Sequence, residues 1–401
     1  MACVQLPAEP HYGAEAKPLL EEAEPTHAWA QPEMAGPSSD ASQGSQLCDA
    51  REFVASFLTV SDVARLSLTN LALRLDFTVE GSNGQRLFRV PVLDLNTHIV
   101  DVLGNLCLSH VKTLRTFQQL PFTTLLEKVK ADGPDSLRLL ERLTCKGVRM
   151  DCKIVRSQLV PLLIPPERNL KLLNLEKNRI DDALLKELCA TGVLERIETL
   201  NLRFNEISDE GVQAVAATPG ASRLKWLNLK MNRIGDAGGA ALATLIARPD
   251  CGISLLNLRR QVGRSPGMTD RTAQEFAEAL KTNSSLQQLR LRRNRVSDEG
   301  AVALAKSIEE LVARKYRESP LTEDVRFELD LEENKVKTQG ALALLRTANS
   351  IAASARIEFL LAGNKDGDEP LSRERLQSEH GAALDVLNPR VWFESKPEVD
   401  L

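Results

Sequence analysis

Four pairs of side chains recur along the middle of the chain at intervals of 27, 29 and 33 residues: Arg203-Phe204, Lys230-Met231, Arg259-Arg260 and Arg292-Arg293, with Trp226 shortly before the second pair. Cations set beside aromatic and thioether side chains bind carboxylates and apolar surface, and arginine with an aromatic is the usual composition of an interface hot spot. This is recognition chemistry. Catalytic chemistry has no comparable signature here. The sequence holds no G-x-x-x-x-G-K-[ST] phosphate loop, G-x-S-x-G elbow, H-E-x-x-H or C-x-x-C. Cys107 and His110 form a C-x-x-H pair, but no second pair stands at zinc-finger spacing. No catalytic residue, cofactor or metal is expected.

The elements that must position these pairs form a repeat, L-x-x-L-x-L-x-x-N-x-I. It reads LKLLNLEKNRI from Leu170, IETLNLRFNEI from Ile197, LKWLNLKMNRI from Leu224 and LQQLRLRRNRV from Leu286. A variant from Ile253 has Gln261 at the asparagine position, and two further copies end in Asn334 and Asn364. A period in this range means a solenoid. The leucines share the buried face of a short strand, and the asparagine amide satisfies backbone groups where the chain leaves it. An acidic residue then opens an alanine-rich amphipathic run, as in DEGVQAVAA from Asp209 and DAGGAALATLIA from Asp236, where it suits a helix N-cap. Each repeat is strand, turn, helix. The expected class is α/β, a horseshoe-shaped leucine-rich-repeat solenoid with a parallel sheet on its concave face and helices on its convex face.

Repeats of this length with a full helix resemble the ribonuclease-inhibitor class of leucine-rich repeats, the type also carried by NOD-like receptors. The resemblance implies binding more than any one activity. Upstream, Phe57, Leu58, Asp62, Val63, Arg65, Leu66 and Ser67 resemble the middle of an F-box, which implies a Skp-type adaptor as partner and a substrate-recruiting role in a ubiquitin ligase. The Leu-Pro opener and the basic-x-Trp close of that family are missing. A GTPase activator for Ran shares the repeat class, but none of its functional residues can be placed on this sequence.

The domain reading follows. Residues 1–48, with seven acids against Lys17, are expected to be a disordered acidic tail. Residues 49–136 read as a mainly helical N-terminal cap region, F-box-like at 49–75. Residues 137–364 hold the leucine-rich repeats, the first of them a worn copy with Cys145 in place of asparagine. Residues 365–401 form a C-terminal cap and tail. Insertions after Gln261 and Ala313 lengthen two connections. A net charge of −4 gives no case for nucleic acid or an anionic membrane, and seven cysteines without a C-x-x-C pair read as reduced thiols. The protein is expected in the cytoplasm, or alternatively the nucleus.

In each strand the positions between the leucines point away from the core. Across repeats they bring Arg290, Arg292 and Arg293 beside Asp330, Glu332 and Glu333, where the charges would pair, and Glu176 beside Arg203. Lys230, Arg259 and Arg260 are left without acids, next to Phe204, Trp226 and Met231. The expected partner-binding set is Arg203, Phe204, Trp226, Lys230, Met231, Arg259, Arg260 and Arg292. The expected partner is a protein with an acidic, partly apolar surface.

Overall fold

The computed structural model describes residues 78–80, 86–89, 92–95, 106–116, 119–133, 136–148, 159, 169–261, 267–318, 325–351, 355–380 and 389–395. Every described residue lies in the unit formed by residues 72–401. The acidic tail and the F-box-like stretch fall outside the described residues.

The first strands are β1 (Thr78–Glu80), β2 (Arg86–Arg89), β3 (Val92–Leu95), β4 (Leu106–Cys107) and β5 (Thr113–Thr116), followed by helix α1 (Gln119–Asp132). Then come β6 (Arg142–Cys145), β7 (Leu172–Asn174), α2 (Asp182–Ala190), β8 (Thr199–Asn201), α3 (Asp209–Ala217), β9 (Trp226–Asn228) and α4 (Asp236–Ile246). The array continues with β10 (Leu255–Asn257), α5 (Asp270–Leu280), β11 (Gln288–Arg290), α6 (Asp298–Glu318), β12 (Arg326–Asp330), α7 (Thr338–Ser350) and β13 (Arg356–Leu360). A two-stranded turn, β14 (Lys365–Asp366) with β15 (Glu369–Pro370), precedes α8 (Arg373–His380) and β16 (Val391–Trp392).

Eleven of these strands form one sheet in the order β16-β13-β12-β11-β10-β9-β8-β7-β6-β5-β3. Every pairing in it is parallel. Helices α2 to α7 pack side by side, each against the next. The register aligns Leu114, Leu143, Leu173, Leu200, Leu227, Leu256, Leu289 and Leu329. All are fully buried, and they form the sheet's layer of the core. This is the leucine-rich-repeat solenoid that the sequence pattern implies.

Two ladders of side chains tie the repeats together. In the first, Asn205 donates its amide to Leu175 O and Leu202 O, while its Oδ1 accepts from the backbone of Asn178 and Ile180. Asn232 and Asn364 repeat the arrangement, and Gln261 reaches the equivalent Leu229 O and Leu258 O with its longer side chain. The second ladder differs from the sequence reading. The recurrent aspartate is mostly the first helical residue rather than the cap, and its carboxylate accepts hydrogen bonds from the start of the next repeat's helix. Asp182 serves Ser208 and Gly211; Asp209 serves Gly235 and Gly238; Asp270 serves Ser297 and Gly300; Asp298 serves Lys337 and Gly340. Each carboxylate therefore satisfies orphan N–H donors of the following helix. This also accounts for the glycine in D-x-G: a Cβ at Gly238 would lie 2.6 Å from Asp209 Oδ1. Where Thr272 replaces glycine, its hydroxyl donates to Asp236 Oδ1 at 2.6 Å.

Several expectations need correcting upstream and at the insertions. Within 49–136 the described residues form strands β1 to β5 and a short 3-10 helix as well as helix α1, and β3, β5 and β6 extend the repeat sheet ahead of Leu170. Cys145 does not take the asparagine position. The register sets Leu143 against Leu173, so Cys145 replaces the third leucine. Val148 stands at the asparagine position, its N–H donating to Asn178 Oδ1. The pattern taken from Leu137 is three residues out of phase, because Leu137 and Leu140 match the leading leucines as well as Leu140 and Leu143 do. The connection from Ala313 begins as helix: α6 runs on to Glu318, and its Arg314 guanidinium bonds Leu280 O, Thr282 O and Asn283 O at the end of α5.

Candidate partner-binding face

The sheet face turned away from the buried leucines carries four columns of side chains at about 4.8 Å spacing. The first runs Leu172, Thr199, Trp226, Leu255, Gln288, Glu328. Trp226 is 37% exposed there. In the second column, Asn174, Asn201, Asn228 and Asn257 each accept a hydrogen bond from the backbone N–H two residues on, belonging to Glu176, Arg203, Lys230 and Arg259. Asp330 does the same for Glu332. These bonds hold the chain as it leaves each strand, and so aim the third column: Glu176, Arg203, Lys230, Arg259, Arg292, Glu332.

The fourth column is Lys177, Phe204, Met231, Arg260, Arg293 and Glu333, and all six have a left-handed backbone, with φ from 51° to 59°. Glycine has the freedom to adopt this conformation, and Gly147 and Gly363 occupy it in the flanking repeats. Non-glycine side chains are held in it because the parallel ladder continues through these residues. Phe204 N–H donates to Lys230 O, Met231 to Arg259 O and Arg260 to Arg292 O. The turn projects these side chains outward. Two cations approach the Phe204 ring, with Lys177 Nζ 5.1 Å and the Arg203 guanidinium 4.7 Å from its centre.

All eight sequence-derived residues fall on this face, but in two different states. Toward β12 the charges are paired. Arg259 bonds Asp330 through Nε at 2.7 Å and a second nitrogen at 2.6 Å, reaching across β11, and Asp330 is fully buried. The expectation that Arg259 lacks an acid is thus overturned. Sequence neighbours count only adjacent strands, and a guanidinium spans two. Arg292 bridges Glu332 at 2.9 Å and Glu333 at 2.6 Å, Arg293 bonds Glu333, and Arg290 lies 3.3 Å from Glu328. Glu176 pairs with Lys146 at 3.3 Å. Toward β8 and β9 the face opens. Arg260 and Lys177 are exposed and form no ion pair among the described residues.

The titration of the paired end follows from its crowding. Burial, and then Asp330 beside it, push the Glu332 carboxyl above its ordinary value against the pull of Arg292. For Glu333 burial acts in the same sense, but hydrogen bonds from Arg293 and Arg292 outweigh it and the carboxyl falls below the ordinary value. Arg292 has its charge opposed by burial but favoured more by Glu333, Glu332 and Asp330. Among the described residues no group of His, Cys, Asp and Glu is arranged to hold a metal ion, and no helix is long and apolar enough to cross a membrane.

Two features of this face were missed in sequence. One is the approach of Lys177 and Arg203 to the Phe204 ring. The other is the bracing of the third column by Asn174, Asn201, Asn228 and Asn257, which their recurrence at one motif position could have signalled.

Three segments, residues 197–216, 224–243 and 282–305, match the family model for leucine-rich repeats. They span β8 with α3, β9 with α4, and β11 with the start of α6. The chain therefore carries leucine-rich repeats. No curated protein matches it. Among solved structures it is similar to a leucine-rich-repeat protein of Leptospira interrogans, with 14% identity, a TM-score of 0.30, and coverage of 76% of this chain and 81% of that one.

Proposed function

We propose that this protein is a non-catalytic interaction scaffold that binds a protein partner on the open face of its repeat sheet, across β8 to β10. Leucine-rich repeats typically mediate protein–protein interaction, and a solenoid presents an extended binding surface of this kind. The observation that carries the reading is the contrast along one face: Trp226, Phe204, Met231 and Arg260 are turned outward in consecutive repeats, while the charges toward β12 are spent on one another. A partner suited to this patch has acidic groups for Arg260, Lys177 and their neighbours, and an apolar element for Trp226 and Met231. Arg259 and Arg292 act in this scheme as supports rather than contacts. A ribonuclease-inhibitor-like repeat class, supported by the helix in each central repeat, and a cytoplasmic or nuclear setting belong to the same proposal.

The test compares affinity capture by the wild-type chain and by Trp226→Ala/Arg260→Glu, with helix content checked by circular dichroism. The expected outcome is a defined set of proteins held by the wild type and lost from the variant. Recovery of the same proteins in the same amounts would remove β8 to β10 as the binding surface.

A further inference from the structure

The rim where the chain leaves each strand for its helix carries a further column of side chains, one residue beyond the ladder asparagine. In the earlier repeats it holds Arg179, Glu206 and Arg233, and Glu206 pairs with Arg233 at 2.9 Å. In the later ones it is basic throughout. Arg295, Lys335 and Lys365 take the position in three consecutive repeats, and all three are exposed. Backbone bonds set them one repeat apart: Arg295 N–H donates to Met268 O and Lys335 N–H to Val296 O, while Asn364, next to Lys365, accepts from the N–H groups of Asn334 and Val336. None of the three forms an ion pair among the described residues. The acids around them are already engaged. Glu333 is held by Arg292 and Arg293, Asp298 accepts from the N–H groups of Lys337 and Gly340, and Asp366 accepts the Thr338 hydroxyl at 2.6 Å. The ridge ends at the Gly367 turn, where Asp368 is exposed.

Arg260 joins this ridge to the open face. It is exposed, and its N–H donates to Arg292 O in the repeat that carries Arg295. Three strand spacings of about 4.8 Å then put Lys365 about 14 Å along the rim from Arg260. An extended run of about five residues covers that length, and the long arms of arginine and lysine can meet carboxylates along it. In the other direction the same rim presents Glu206, which repels such a run. Nucleic acid fits less well, because none of these ridge positions is aromatic and a base has nothing to stack on. A protein segment also suits the Arg260 end, where Trp226 and Met231 offer an apolar seat.

We infer that the partner seated on Trp226 and Met231 continues as an extended acidic segment along this rim, its carboxylates meeting Arg260, Arg295, Lys335 and Lys365. The inference rests on the open face being the binding surface. It adds the course of the acidic element, toward the C-terminal repeats and along the rim rather than across the sheet, where the charges already pair.

Calorimetric titration of the full-length chain with a short poly-glutamate peptide, and with an oligouridylate of equal charge, tests it. The expected result is that Arg295→Glu/Lys335→Glu/Lys365→Glu weakens the peptide by about tenfold or more, each exposed charge contact contributing modestly. The same charge change at Arg179, Lys306 and Arg346, exposed cations away from the ridge, should weaken it by no more than about twofold, the part due to net charge alone. Circular dichroism checks that each variant is folded, and Arg295→Gln/Lys335→Gln/Lys365→Gln, with an intermediate loss, serves if the reversal is not. No binding by the wild type, equal losses in the ridge and control variants, or tighter binding of the oligouridylate than of the peptide would each overturn the inference. Peptide binding lost in Trp226→Ala/Arg260→Glu but kept in the ridge variant would overturn the ridge alone and leave the open face standing.

Discussion

The two halves of the open face use the same four motif positions and the same backbone geometry, yet they differ in what their charges do. From β10 to β12, Arg259, Arg290, Arg292 and Arg293 meet Glu328, Asp330, Glu332 and Glu333, and several of these groups are buried. From β8 to β10, the same positions hold Phe204, Met231, Trp226 and Arg260, which reach solvent. The repeat fixes where a side chain points. Whether it is available to a partner depends on what stands one or two repeats away. A charged position on a solenoid face is therefore no more a binding residue than a buried ion pair is, until its neighbours have been read.

The most severe way to break the comparison is at the paired end. Asp330 has no solvent of its own, so Arg259→Ala would strip a buried carboxylate of its two-nitrogen partner, at a cost of about 3–5 kcal/mol. The expected result is a large drop in the chemical denaturation midpoint. Replacing both partners together, as Arg259→Met/Asp330→Leu, should restore most of it, because the penalty lies in the unpaired charge rather than in the loss of the pair. A double variant as unstable as the single one would mean that the residues matter for packing alone.

The aspartate ladder should respond next. Asp236 accepts from Thr269 N–H at 2.8 Å, Thr269 Oγ1 at 2.7 Å and Thr272 Oγ1 at 2.6 Å, so Asp236→Ala strips one carboxylate from three donors. A loss of about 1–3 kcal/mol is expected from thermal or urea unfolding. The dependence on pH separates this site from the open face, because the two shifts have opposite sign. For Asp236 burial raises the carboxyl, but the hydroxyls of Thr272 and Thr269 and the adjacent backbone outweigh it, and the net shift is downward. Its stabilisation is complete above the ordinary aspartate value of about 3.9 and is lost as pH falls through the lower folded value. Glu332 is shifted upward. Its favourable contribution is present below the ordinary glutamate value of about 4.3 and is lost as pH rises through the folded one. Measured against Asp236→Asn, wild type should gain stability with rising pH across the acid range. Measured against Glu332→Gln, it should lose stability with rising pH. Curves of the same slope would remove the distinction.

Much of the architecture was legible because the leucine period is a burial constraint repeated in each copy, and one copy corrects another. The regular strands, the asparagine ladder and the outward face follow directly from L-x-x-L-x-L-x-x-N. The phase of the worn repeat at Leu137 to Val148 was not legible, since leucines every three residues fit two alignments and only the hydrogen bond from Val148 to Asn178 distinguishes them. The aspartate ladder left its trace in D-x-G, but its partner lies 26 to 42 residues away on the next helix, and capping within one repeat is the simpler local reading. The face was legible as a set of residues but not as two states. The reach of Arg259 across a whole strand to Asp330 depends on side-chain length and burial, which a motif does not encode.

The smallest effect on stability is expected at Arg260, and it is the most informative for the open half. Its φ of 52° is costly for a residue with a Cβ, by roughly 1–2 kcal/mol on the scale of left-handed helix, and its side chain forms no ion pair among the described residues. Glycine already occupies the equivalent turn at Gly147 and Gly363. Relief of strain in the folded state and added freedom in the unfolded chain oppose one another. Arg260→Gly should therefore unfold within about 1 kcal/mol of wild type while removing an outward cation from the patch. If arginine is kept there for the fold, the variant will be clearly destabilised. If it is kept for what docks on the face, stability will hold and acidic ligands alone will be lost, which a calorimetric titration with a poly-glutamate probe would report.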